Sequence, residues 1–157
     1  MPSIRRTLLC CLLGFISFVG FAQTAKPAAT AAKPLKLTPK FAAYADSSKP
    51  FSTDLKQVVK AELKVTDNSG TVWTIVTYRL GWRKKELNDD YKTGQRKTIF
   101  TFNAVTVDNS GKIPEGWQKE IAENIQPGEQ LLFEEIIAQD PKTKKMMKVP
   151  ALHLFVH

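Results

Sequence analysis

Residues 57–82 read QVVKAELKVTDNSGTVWTIVTYRLGW. In residues 57–66, Val59, Ala61, Leu63 and Val65 share one parity, and Lys60, Glu62, Lys64 and Thr66 share the other. Alternation of period two describes a strand with one buried and one wet face. Lys56, Lys60 and Lys64 then lie along the wet face, where spread charge is solvated. Asp67-Asn68-Ser69-Gly70 is turn chemistry, with Gly70 able to take a positive φ. Residues 71–82 form the return strand. Val72, Thr74, Val76, Tyr78, Leu80 and Trp82 share its buried parity, which leaves Trp73 on the exposed side. Two such strands make a hairpin, and the domain is expected to be antiparallel.

Toward the C-terminus, residues 83–96, RKKELNDDYKTGQR, have no apolar periodicity and are expected to be a long charged connection. Residues 97–108, KTIFTFNAVTVD, are β-branched and aromatic and read as a third strand, closed by a second DNSG tetrad. Residues 114–125 carry Trp117, Ile121 and Ile125 on one helical stripe, with Pro114 at the start and Pro127-Gly128 beyond the end. In residues 129–139, EQLLFEEIIAQ, the apolar parity slips between Leu131/Phe133 and Ile136/Ala138. A bulge, or a strand buried on both faces, explains such a slip. Residues 146–157 form the last strand, with Pro150 placing it at an edge or kinking it. The expected fold class is mainly β: a small antiparallel β-sandwich-like domain with one short helix.

Toward the N-terminus, Arg5 and Arg6 precede sixteen apolar or small residues, TLLCCLLGFISFVGFA. Gly20 and Ala22 sit at the −3 and −1 positions of a cleavage site. That is the layout of a secretory signal peptide over residues 1–22. The run is shorter than the roughly 20 residues of a membrane span, so no membrane anchor is expected after cleavage. Residues 23–39, QTAKPAATAAKPLKLTP, read as a flexible Ala/Lys/Pro tether, and residues 40–157 as a single β-rich domain. Cys10 and Cys11 leave with the leader. A cysteine-free exported chain has no disulfide, no thiol chemistry and no Cys-ligated zinc. Losing Arg5 and Arg6 lowers the net charge from +8 to +6. For a periplasmic or extracellular protein that charge does not point to nucleic acid.

No catalytic, metal or cofactor set is legible. His153 and His157 are four residues apart in an extended segment, about 13 Å, too far to share a metal. The DNSG tetrads lack the alternating oxygens of a calcium loop. Glu134 and Glu135 point to opposite faces of a strand. Two candidate surfaces remain. The basic residues Arg83, Lys84, Lys85, Lys92 and Arg96 of the charged connection, together with an exposed edge strand, suit an acidic envelope-protein partner. As an alternative, Trp73, Trp82 and Tyr78 would grip a glycan or lipid.

Residues 117–157 place a short helix, a Pro-Gly-Glu turn, the strand LLFEEIIA, a polar turn and a final strand in order. This resembles the C-terminal domain of GldM-like periplasmic shaft proteins of gliding motility and type IX secretion. Phe133, Glu134, Ile136 and Ala138 match that family's strand pattern, while Asp140-Pro141-Lys142-Thr143 lacks the glycine of its hairpin. The resemblance implies a non-enzymatic envelope protein of the Bacteroidetes type that works through protein contacts.

Overall fold

The computed structural model describes residues 34–89 and 94–157. The expected signal peptide, residues 23–33 of the expected tether, and Lys92 lie outside the described residues. The element order is β1 (Leu37–Phe41), α1 (Ser52–Val58), β2 (Leu63–Asp67), β3 (Val72–Asp89), β4 (Arg96–Asp108), α2 (Glu115–Asn124), β5 (Gln130–Gln139), β6 (Met146–Lys148) and β7 (Leu152–Phe155). The described strands form one antiparallel sheet in the order β1-β2-β3-β5-β6, with β4 added to β3 and β7 to β5. The domain is mainly β and antiparallel, as expected, with two short helices where one was read.

The hairpin across Asp67–Gly70 is present, but its first strand begins only at Leu63. Residues 52–58 are helical instead, so Lys56 is a helix residue and not part of a strand face. Leu55 and Val59, four apart, bury the helix against the core. Over so few residues, helical spacing and strand alternation share positions, and tertiary packing decides between them. The expected tether also gives up its end. Leu37 and Pro39 belong to β1 and are buried, so the 39/40 boundary runs through a strand paired with β2.

Within β3 the buried side chains are Trp73 and Ile75, then Tyr78, Leu80 and Trp82. The expected face holds only from Tyr78 onward. The register against β5 shifts on either side of Thr77, where Val76 is an extra residue on β3 and Glu135, at φ +51°, an extra one on β5. Facing bulges exchange parity on both strands at once. Leu131 and Phe133 therefore share the core with Ile136 and Ala138, as the slip in residues 129–139 required. The last strand is broken at Val149–Ala151 into β6 and β7, both on the outer side of β5.

The core gathers Phe41, Val65, Tyr78, Trp82 and Phe133 from the sheet with Leu55, Ile121 and Ile125 from the helical segments. The Phe41 and Phe133 ring centroids are 5.0 Å apart. The two DNSG turns use their residues differently. In the first, Gly70 holds the positive φ (+86°); in the second, Asn109 does (+53°). Gly111 is needed for space, because a Cβ there would sit 2.5 Å from the Leu63 carbonyl oxygen. That carbonyl belongs to a close crossing in which Leu63 N–H donates to Gly111 C=O (2.7 Å).

Candidate functional site: the β3–β4 ribbon

The expected charged connection of residues 83–96 is corrected by the structure: residues 83–89 are the far end of β3, and Arg96 opens β4. β3 and β4 pair without interruption from Thr77↔Asp108 to Asp89↔Arg96. β5 flanks β3 only as far as Arg83↔Gln130. Past that point β3 and β4 form a two-stranded ribbon that leaves the body of the sheet. Such ribbons are marginal alone. This one is tied at its root by Glu129, a buried carboxylate just ahead of β5. Glu129 accepts from the Trp82 indole N–H (2.9 Å), the Lys85 backbone N–H (2.9 Å) and the Gln126 N–H (3.1 Å). Farther out, the Thr101 hydroxyl donates to Glu86 (3.0 Å) and Arg96 pairs with Asp89 (3.1 Å).

Strand alternation divides the expected basic cluster between two faces. Arg83 and Lys85 share the outer face with Arg79; Lys84 is on the inner face, 3.6 Å from Glu120 of α2 and 5.1 Å above the Trp82 ring. Lys84 is thus occupied inside the fold. Arg96 opens β4 at the ribbon's tip. The outer face also carries Leu87, Phe100 and Phe102, exposed by 65%, 44% and 49%. The guanidinium of Arg83 lies 4.2 Å from the Phe100 ring centre, and that of Arg79 lies 5.7 Å from Phe102. Phe102 covers Gly81, where a Cβ would meet the ring at 2.7 Å. Phe100 and Phe102 stand in the sequence among the aromatics that could line a sugar- or lipid-binding face, and Arg79 was missed; the signal that joins the three is their common face once β3 and β4 are laid opposite each other.

Trp73, Tyr78 and Trp82, the expected glycan- or lipid-gripping set, are 4%, 1% and 0% exposed. The Trp73 indole N–H donates to Asp67 (3.2 Å), that of Trp82 to Glu129, and the Tyr78 hydroxyl to the Lys112 carbonyl (3.0 Å). Burial raises the Tyr78 phenol well above its ordinary value. These rings are core and offer no open face. His153 lies 3.8 Å from Glu134, whereas His157 sits against Phe51 with ring centres 5.5 Å apart, so the histidines have different neighbours.

The edges of the sheet are unequal. β7's outer edge is covered by residues 47–52: Ser47 N–H donates to His153 C=O (2.9 Å), Phe155 N–H to Ser48 C=O (3.0 Å) and His157 N–H to Pro50 C=O (2.8 Å). β1 is five residues long and contains Pro39; β6 is three residues long and runs into Pro150. β4 has thirteen residues, no Pro, no Gly, and an uncharged run TIFTFNAVTV over 98–107. Among the described residues β3 is its one strand partner. A separate cleft of about 600 Å³ lies between α1 and α2, but its charged groups, Lys56, Lys60, Lys119 and Glu115, are solvent-exposed. Among the described residues no three His, Cys, Asp or Glu side chains converge on a metal position, and no helix is long and apolar enough to cross a membrane.

No family model, curated protein or solved structure matches this chain.

Proposed function

We propose that this chain is a non-enzymatic, exported envelope protein that binds a protein partner by strand addition along the outer edge of β4. The observation that carries the reading is the contrast among edges: β1, β6 and β7 are short, proline-bearing or covered, while β4 offers thirteen residues with no proline and, among the described residues, no cover. An exposed strand edge presents unpaired N–H and C=O groups, a template on which a strand of another chain can pair. The face beside it is aromatic and basic, from Arg79, Arg83, Lys85, Phe100 and Phe102 to Arg96 at the tip, which suits a partner strand that sets a carboxylate opposite an arginine. The resemblance of residues 117–157 to GldM-like domains and the leader-like residues 1–22 supply the setting, the envelope machinery of gliding motility and type IX secretion. In that setting, N-terminal sequencing of the exported chain should start at or near Gln23.

The test is site-specific photocrosslinking in the native envelope. A crosslinker at Thr98 or Thr106 should form a protein adduct, which weakens as salt rises and disappears with Ala104→Pro. The same group at exposed Glu123 of α2 should not form it. No adduct from β4, or an equal adduct from Glu123, would overturn the reading.

A further inference from the structure

The geometry points to a second copy of this chain as the strand that pairs with β4, an inference that rests on β4 being a docking edge. Asn109 N–H donates to the Val76 carbonyl (2.6 Å), and Lys85 N–H turns the other way, to Glu129 (2.9 Å). With the register Thr77↔Asp108 through Asp89↔Arg96, odd-numbered β4 residues bond to β3. The even-numbered ones, Thr98 through Thr106, turn their N–H and C=O groups outward.

The edge is self-complementary. Two antiparallel copies related by a two-fold axis through Phe102 set Arg96 opposite Asp108 of the second copy, at both ends of the ladder. Thr98 then meets Thr106, Ile99 meets Val105, and the two Phe102 residues stand opposite each other at the axis, each ring lying back over Gly81 of its own copy. These opposite-charge, Thr–Thr and β-branched pairs are the kinds that stabilise antiparallel ladders. The axis at Phe102 is also consistent with the backbone, since it pairs even residues with even residues. Moving the axis one residue either way keeps that parity but takes Asp108 away from Arg96. Asp108 is exposed, and the Arg96 side chain is 73% exposed. Asp89 engages Arg96 at Nε, and a guanidinium has five donors, enough for a second carboxylate. The join also covers Ile99, which is 39% exposed on the face opposite Phe102. Each copy contributes the same patch, so the assembly closes as a dimer and leaves no β4 edge for further growth.

Sedimentation velocity of the full chain across the micromolar range should show a concentration-dependent dimer. Ala104→Pro removes an outward N–H and leaves the bonds to β3, so it should weaken association at least about tenfold with the circular dichroism spectrum unchanged. If that variant does not fold, Phe102→Lys sets two ammonium groups on the axis and should do the same. Register is read in a Cys10→Ser/Cys11→Ser background. Thr101→Cys mixed with Asn103→Cys should form a disulfide dimer that neither forms alone, because those positions are directly opposed at about 4.5 Å between Cα atoms. A monomer at every concentration, a dimer that a folded variant leaves intact, or a mixed-cysteine dimer no more abundant than the single ones would overturn the second copy. A monomer that still gives protein adducts from Thr98 or Thr106 removes only the self-pairing; a monomer without them removes the docking edge as well.

Discussion

At the scale of single residues, two carboxylates act on opposite sides of the water boundary. Glu129 is 1% exposed and holds three N–H groups from β3, the Trp82 indole and the loop after α2. Glu129→Ala would leave the buried Trp82 indole N–H and two half-buried backbone N–H groups without an acceptor, at a cost on the order of 3 kcal/mol. Urea unfolding followed by tryptophan fluorescence should show that loss, whereas Glu120→Ala, which removes a half-exposed ion pair with Lys84, should move the midpoint little. Asp67 organises the first DNSG turn. The Ser69 hydroxyl (2.6 Å) holds its carboxyl well below the usual carboxylate range, helped by the Thr71 N–H, the Trp73 indole and the Ser69 N–H, with burial opposing. Asp46 and Asp140 are lowered in the same direction, chiefly by the N–H groups of His153 and Lys142. A carboxyl depressed in the folded state stabilises above its unfolded value, near 3.9, and loses that contribution as pH falls toward the folded value. The melting temperature should therefore drop as pH falls from about 5 to about 2, and Asp67→Asn should make that slope shallower. An unchanged slope would mean that Asp67 contributes nothing to acid sensitivity.

Elements were legible wherever one face was wet and the other dry. Helix α2 appeared through Trp117, Ile121 and Ile125, and the β5 bulge through the parity change between Phe133 and Ile136. The matching bulge in β3 was hidden, because Val72, Thr74 and Val76 read as well on the buried parity as Trp73 and Ile75 do. Trp73 was misplaced for that reason. The ribbon was hidden for a different one. Residues 84–89, KKELND, lie in a two-stranded arm whose last four residues are exposed on both faces, so strand pairing there leaves no apolar period in the sequence. The basic half of the candidate site was visible as composition. Its division between faces, and the stacking of Arg79 and Arg83 on Phe102 and Phe100, depended on a register that no single strand encodes. β1 escaped because LTPKF is short, has one proline, and follows an Ala/Pro/Lys-rich segment. Its burial makes a direct prediction. Deleting residues 34–39 removes Leu37 and Pro39 from beside β2 and should lower the unfolding free energy by roughly 2 kcal/mol or more, read as a lower urea midpoint. A deletion variant that melts with the intact chain would show that β1 adds nothing to the core.

At the scale of the whole molecule, stability should grade from the core outward along β3. Its middle, from Thr77 to Arg83, has β4 on one side and β5 on the other, and buries Tyr78, Leu80 and Trp82. Past Lys85 it has β4 alone, and both faces of the ribbon are largely exposed. Opening the ribbon costs few buried contacts, so its amides should exchange by local opening while those of the middle wait for global unfolding. β4 adds a second pattern across its width. Amides of Thr101, Asn103, Val105 and Val107 bond to β3 and should be protected in order of their distance from the tip. Amides of Phe100, Phe102, Ala104 and Thr106 face outward and should exchange fast in the dilute, unpartnered chain. Residue-resolved hydrogen exchange by NMR reads both patterns at once. On docking, the outward set should slow selectively, with Phe102 at its centre if the partner is a second copy. A β4 whose alternate amides are equally protected at high dilution would mean that its edge is already satisfied within the chain, and strand addition there would have to be abandoned.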